Sequence, residues 1–196
     1  MREDVERWEA KYQAADPDPE LRTDPLLSSH LADLHSVGSA LDLASGSCHS
    51  AVFLAQQGYD VLAVDCSASG LAIGRRLAQR EQTTIRTLTA DLDEITLDKE
   101  TYDLVVCLRY LNRALFSNMR TVLKPGGLLF FKTFNVHHLV SSPKFNPAYV
   151  LQPGELSQSF NGMVMIDLND GEDPKITQSW IAVSYTHLTL PTNREV

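Results

Sequence analysis

The chain has 196 residues and a formal charge of −8, enough for one α/β domain with a full core or one domain plus a small appendage. Its acidic balance, with a sequence pI near 5.2, argues against a dedicated nucleic-acid binder, although it leaves RNA open as a substrate. With 43% apolar and 21% charged residues the composition is that of a soluble globular protein; no run approaches the ~20 apolar residues of a membrane span and no leader precedes Trp8, so a cytoplasmic protein is expected.

Residues Met1–Gln13 space Val5, Trp8 and Tyr12 on one face of a short amphipathic helix, which Asp16-Pro-Asp-Pro19 breaks. That face either docks the helix on the body of the protein or lays it as a lid over a ligand, with Tyr12 touching it. Leu26–Val37 reads as a second helix stopped by Gly38. Ala40–Leu43 is a short strand without alternation, hence buried on both faces. After a turn of small residues, Ala51–Gln57 continues as a helix and Gly58 suits its left-handed C-terminal position. Tyr59–Asp65 is a second strand. Ser69–Gln82 is a helix with Leu71, Ile73 and Leu77 inward, and with Arg75, Arg76 and Arg80 outward as a solvated face.

Thr84–Thr89 is a third strand running into Ala90-Asp91-Leu92. A polar turn over Asp98–Tyr102 precedes a fourth strand, Asp103–Leu108. Ala114–Leu123 is a helix closed by Lys124-Pro-Gly-Gly127, and Leu128–Phe134 is a fifth strand. Strands alternating with helices at this short spacing argue for a parallel, doubly wound sheet. Asn135–Gln152 then forms a long loop rich in His, Ser, Pro and Asn, of the kind that is usually functional or mobile. Glu155–Phe160 is a short helix, and Met163–Leu168 with Ile176–Val183 read as a terminal antiparallel pair.

The centre of this pattern is the stretch from Leu41 to Asp65. Asp65 follows Gly46 at close to the spacing of about 20 residues at which a βαβ unit sets a carboxylate beside a ribose. The small residues of the turn let the backbone approach a ligand, and the helix start offers unpaired N–H groups. The glycine fingerprint is degenerate, with Ala44, Gly46 and Cys48 in its three positions. If the backbone is left-handed at Cys48, its Cβ brings a clash or a costly φ. Cys48 is read as a tolerated small buried residue, with a reactive thiol at the helix start as the alternative. The three cysteines, Cys48, Cys66 and Cys107, are expected to be reduced, with no disulfide framework and no metal spacing.

Taken together, Trp8…Tyr12, LDLASGS, AVDCS, ADLDE, YDLVVCLRYLNRALF, LKPGGLLFFKTF and NPAYVLQPGEL resemble a class I S-adenosylmethionine-dependent methyltransferase, and within it the small tellurite-resistance-like branch. The resemblance covers about Trp8 to Val183 and implies a seven-stranded, mostly parallel sheet whose last strand is antiparallel. It implies residues 1–38 as N-terminal helices acting as a lid and 39–183 as the cofactor-binding domain. For the cofactor it implies that Asp42, Ala44, Ser45 and Gly46 face the methionine part. Asp65 would accept from the ribose, Cys66 would pack by the adenine, and Asp91 with Leu92 would meet the adenine amino group. Cys107, Leu108 and Arg109 would line the methionine side and open toward the acceptor. His49-Ser50 departs from the Arg-Asn frequent in that branch.

The acceptor expected on this basis is small and soft or anionic, because no catalytic dyad is evident; a thiolate or heavier chalcogen oxyanion needs little general-base help. Candidates for a catalytic or acceptor-holding role are Arg109, His137 and His138. No metal is expected, since the adjacent histidines have no third ligand at a recognisable spacing. The competing functions are a catalytically degenerate binding or sensor protein of the same fold, and a nicotinamide-cofactor enzyme, which the Lys-Pro-Gly-Gly turn and terminal strand pair disfavour. Finally, Val183-Ser-Tyr-Thr-His-Leu188 resembles a translated sequencing-library adapter, so residues 184–196 are expected to be non-native and without function.

Overall fold

In a computed structural model the described residues are 2–34 and 37–185, with the side chains of residues 2 and 3 excepted. The elements are α1 (Arg2–Gln13), α2 (Pro25–Ser29), β1 (Gly38–Leu43), α3 (His49–Gln56), β2 (Tyr59–Asp65), α4 (Ala68–Arg80) and β3 (Arg86–Thr89). They continue with β4 (Tyr102–Leu108), α5 (Leu115–Thr121), β5 (Leu123–Phe134), α6 (His138–Ser141), α7 (Glu155–Ser159), β6 (Val164–Asn169) and β7 (Gln178–Ser184). One seven-stranded sheet runs in the order β3-β2-β1-β4-β5-β7-β6. The first five strands pair in parallel, and β7 lies antiparallel to both β5 and β6. This is the expected doubly wound α/β sheet, with its chain reversal between β1 and β4.

Alternation along the strands divides the core into two layers. Leu41, Leu43, Val105, Cys107, Leu129 and Phe131 face Leu115, Phe116, Met119, Leu156 and Phe160 from α5, α7 and the residue after it. Ala40, Val61, Ala63, Leu104, Val106 and Phe130 face Leu26, Leu27, Ala51, Phe53, Leu54 and Leu71 from α2, α3 and α4. Both faces are covered, as a parallel sheet requires.

The helix expected over Leu26–Val37 is much shorter. Asp24 caps its start by accepting from the Leu26 N–H at 3.0 Å, and Pro25 supplies the first turn. Only Leu26 and Leu27 are buried in it, and Leu31 is 46% exposed. Beyond these, Leu34 packs on the core only partly buried, too little to hold a longer helix against the sheet. His30 ends it, with its ring turned to Asp33 and Asp167. Gly38 therefore starts β1 rather than stopping a helix. The long loop after β5 also contains order that its composition did not suggest: α6 and a 3-10 turn at Pro147–Tyr149. Arg113 ties that loop down by donating to the carbonyls of Ala148 and Val150 and to Glu155.

Two further readings shift. The Arg75, Arg76 and Arg80 face is exposed but not merely solvated. Arg76 donates to the Pro17 carbonyl, and Arg80 donates to Asp18 and the Pro19 carbonyl, so these arginines fasten the segment that follows α1. At the other end, Ser184 still pairs with Leu128 and Val164, and Tyr185 bonds to Gly126 and Gly127. The sheet thus runs through the first residue of the tail expected to be foreign; residues 186–196 of that tail lie outside the described residues.

Candidate functional site

The carboxyl ends of β1, β2 and β4 meet where the strand order reverses, the place at which open α/β sheets bind ligands. The turn from β1 into α3 has three left-handed residues at alternate positions: Ala44 at φ 55°, Gly46 at 54° and Cys48 at 59°. For Ala44 and Cys48 this geometry costs about 1–2 kcal/mol each. It is held by bonds within the turn and from β2. The Ser45 N–H and the Cys48 N–H bond to the carbonyls of Val64 (3.1 Å) and Ser45 (2.8 Å). Asp42, fully buried beneath the turn, accepts from the Ala51 N–H at 3.1 Å, and burial pushes its carboxyl up to about 8.

Asp65 ends β2 opposite this turn. One carboxylate oxygen accepts from the Gly46 N–H at 2.7 Å and the other from the Ser67 N–H at 2.8 Å. The Cys66 thiol also bonds to this carboxylate; with about four lone-pair sites, the carboxylate keeps room for one further donor. Cys48 does not plug the turn. Its sulfur points away toward α4, where a Cβ on Gly74 would stand 2.3 Å from it. Burial pushes that thiol up to about 12, which makes it an inert packing group rather than a nucleophile.

What covers the turn is Tyr12. A Cβ at Gly46 would meet the Tyr12 hydroxyl at 2.0 Å, and one at Gly70 would meet the Tyr12 ring at 3.1 Å. Tyr12 stacks on Trp8 (6.1 Å between centroids), and Lys11 lies 4.0 Å above the Trp8 ring. Burial, then the nearby Asp65 charge, raises the Tyr12 hydroxyl well above its ordinary value, so it stays protonated as a donor. The anchor of this arrangement is Glu9. Its carboxylate accepts from the Ser67 hydroxyl (2.7 Å), the Ser69 N–H (3.2 Å) and the Ser69 hydroxyl (2.5 Å) at the start of α4. These bonds, Ser69 foremost, hold Glu9 down to about 2. Sequence reasoning missed Glu9, Ser67 and Ser69. Glu9 and Tyr12 share a helix face three positions apart, but the serines that give the carboxylate its purpose are remote in the chain.

The remaining candidates take several positions. Cys66 follows Asp65 half-buried, and its thiol is pushed up to about 11 by burial and the Asp65 charge. Leu92 is buried beside β1 and β4 residues, while the Asp91 carboxylate accepts from the Asp93 N–H and shapes its own turn. Cys107 is buried within β4, where its thiol is raised by burial. Leu108 is half-buried. Arg109 leaves β4 at φ 62° with its N–H on the Lys132 carbonyl (2.7 Å), and its exposed guanidinium has no acid partner among the described residues.

His137 and His138 lie beyond β5. His137 donates through Nε2 to the Gly171 carbonyl at 2.9 Å, which pins the loop to the turn before β7. His138 stacks on Phe134 (4.1 Å) with Phe145 edge-on. His49, at the start of α3, accepts the Arg22 N–H on Nδ1, and burial lowers its pKa, so it is neutral. No group of three or more metal-ligating side chains occurs among the described residues. No described helix is long and apolar enough to cross a membrane.

The sheet order is that of the Rossmann-like methyltransferase fold, and residues 40–127 match the family model described as a methyltransferase domain. That match takes in a little under half of the chain. Among known proteins, the ubiquinone biosynthesis O-methyltransferase of Coxiella burnetii (strain RSA 331 / Henzerling II) is 26% identical over 150 residues, which is 65% of this chain. The match spans 64% of that relative's length, less than two thirds. TehB from Haemophilus influenzae superposes with a TM-score of 0.65 at 16% identity, covering 82% of this chain and 61% of that one. Geranyl diphosphate C-methyltransferase from Streptomyces coelicolor A3(2), in complex with S-adenosyl-L-homocysteine, superposes at 0.63 with 17% identity, covering 81% and 73%. At such identities these two structures establish a shared fold.

Asp65 closes the end of β2 with acceptor capacity that suits a ribose hydroxyl, while the space over Gly46 is held by the Tyr12 side chain.

Proposed function

We propose that the chain transfers a methyl group from S-adenosylmethionine to a small acceptor that is soft or anionic. The observation that carries this reading is Asp65, set across the strand reversal from Gly46 with acceptor capacity left. In this reading Asp65 accepts from the ribose hydroxyls, and Ala44, Ser45 and Gly46 with Asp42 beneath them form the floor for the amino-acid end. Cys66, Asp91 and Leu92 flank the adenine. Tyr12 closes the crevice from above, with residues 1–38 serving as its lid.

The cofactor supplies an activated methyl on a positive sulfur. The protein's own part is to hold the acceptor in line at ~3–3.5 Å and to exclude water. Two features support a soft or anionic acceptor. His137 and His138 are held by Gly171 and by stacking on Phe134, and neither is paired with a carboxylate among the described residues, so no catalytic dyad is built there. Arg109 presents a cation without an acid partner at the end of β4, and Lys11 sits on Trp8 nearby, its pKa lowered by burial, Arg7 and Arg109. Arg109 is therefore the residue proposed to hold the acceptor. Three cysteines without disulfides suit a reducing, cytoplasmic setting. The same reading keeps a likeness to the tellurite-resistance-like branch and takes residues 184–196 as a foreign tail.

Calorimetric titration with S-adenosylhomocysteine tests the site. Saturable binding that Asp65→Ala abolishes is expected, and equal affinity in that variant would refute the assignment. Selenite, tellurite and small thiols are the acceptors to screen, with Arg109→Ala raising KM for the anionic ones.

A further inference from the structure

Resting on the reading that this crevice binds S-adenosylmethionine, we propose that Glu9 is a latch: a positioning residue that holds α1 shut over the crevice and sets the cofactor's residence time. Tyr12 packs on Gly46 and Gly70, but none of the residues from 4 to 13 is fully buried, so hydrophobic docking of α1 is modest. The Tyr149 hydroxyl also reaches Asp4, in a long contact at 3.4 Å. Against that, Glu9 collects three hydrogen bonds from Ser67 and Ser69 at the positive end of the 13-residue α4.

The leverage follows from position. Glu9 lies about one turn from Tyr12, so the two share a face, and whatever releases one carries the other away from Gly46. Just beyond α1, residues 17–19 are fastened by Arg76 and Arg80. The helix is thus hinged at its carboxyl end and latched near its middle. With the latch closed, Tyr12 leaves no space over Gly46. A ligand that lies on that turn must move the helix to come or go.

Two measurements on the whole protein test this. In stopped-flow mixing with S-adenosylhomocysteine, Trp8 on α1 itself reports the lid in a Trp180→Phe background. Glu9→Ala is expected to raise the dissociation rate about tenfold, equivalent to about 1.4 kcal/mol. Ser69→Ala is expected to give part of that effect and to add nothing to Glu9→Ala, because both break the same bonds. In the ligand-free protein, amide exchange of residues 4–13 is expected to quicken by a similar factor in Glu9→Ala, while α3 and β4 keep their protection.

Unchanged exchange in α1, or additive effects of the two substitutions, would overturn the latch. Failure of the wild-type protein to bind S-adenosylhomocysteine would overturn the functional reading instead, and the exchange measurement would still decide whether Glu9 holds the helix. A uniform loss of protection throughout the protein would show Glu9 to be a general stabiliser and would count against the proposal.

Discussion

The contact between Cys48 and Gly74 lends itself to a quantitative test, because each residue is unusual only in light of the other. Cys48 holds a left-handed φ of 59°, and its side chain occupies the space where a residue at 74 would carry a Cβ. In Gly74→Ala the new carbon stands 2.3 Å from the Cys48 sulfur and 2.5 Å from its Cβ, with the Ser47 carbonyl at 3.2 Å. Neither close atom is the far end of a flexible chain, so overpacking of about 3 kcal/mol is expected, the upper part of the usual range. Against this, alanine gains about 1 kcal/mol over glycine inside a helix. The net loss is about 2 kcal/mol. In a Cys48→Gly background the obstruction is gone and the turn prefers glycine, so the same Gly74→Ala change is expected to stabilise by about 1 kcal/mol through helix propensity and filled space. The coupling between the two sites is then about 3 kcal/mol, at the top of the range for residues in contact. Urea titrations of the four proteins, followed by far-ultraviolet circular dichroism with m held common, measure it. Effects that add to within about 0.5 kcal/mol would refute the reasoning, for they would mean that the sulfur and the glycine do not share one space.

Four other outcomes are expected. His30 bridges Asp33 and Asp167, both of which can only accept, so it is held as the cation; after the opposing effect of burial its pKa is raised above 6.5. Its contribution is therefore complete below pH 6.5 and is lost as pH rises through the folded value. Urea midpoints between about pH 6 and pH 8 should fall less steeply in His30→Gln, and an unaltered slope would refute the bridge. Asp42 is raised by burial from 3.8 to about 8, so stability should decline from pH 3.8 toward 8 as the unfolded state alone ionises; Asp42→Asn should remove that decline, read from the same titrations. Thiol labelling of the native protein should reach half-buried Cys66 before the fully buried Cys48 and Cys107, and mass spectrometry of the first adduct would show otherwise if Cys48 were reactive. Arg113→Lys, which cannot reproduce the forked contacts to Glu155, Ala148 and Val150, should lose about 1 kcal/mol after solvent screening of a half-exposed pair. It should also speed proteolysis within residues 142–154.

Much of the fold was legible because it is written in local patterns. The unbroken apolar runs of β1, β2 and β4 announce strands covered on both faces, and the run Tyr59–Asp65 is recovered to the residue. The terminal pair was legible from the polar turn between two strand-like runs. The α2 region failed for a physical reason. Leu26, Leu27, Leu31 and Leu34 have the spacing of a helix, yet the sheet offers burial to only the first two fully, and His30 gains more from Asp33 and Asp167 than from a continued helix. Periodicity reports what a segment could bury and says nothing about whether a surface waits for it.

The site divides in the same way. Asp65 and Gly46 could be placed because a strand end and a tight turn impose their own spacing on the sequence. Glu9, Ser67 and Ser69 could not, because a carboxylate and two hydroxyls carry no signal of which partner they will meet across 58 and 60 positions. The case of Cys48 is intermediate. Its place in a degenerate glycine fingerprint correctly warned of a left-handed backbone, but the sequence could not say where the sulfur would go. That answer lies in Gly74, in a helix on the far side of β2 in the sequence: a bulky residue is admissible in the turn because its neighbour across the gap has no side chain. The space over Gly46 is thus held by Tyr12, and whatever governs α1 governs that space.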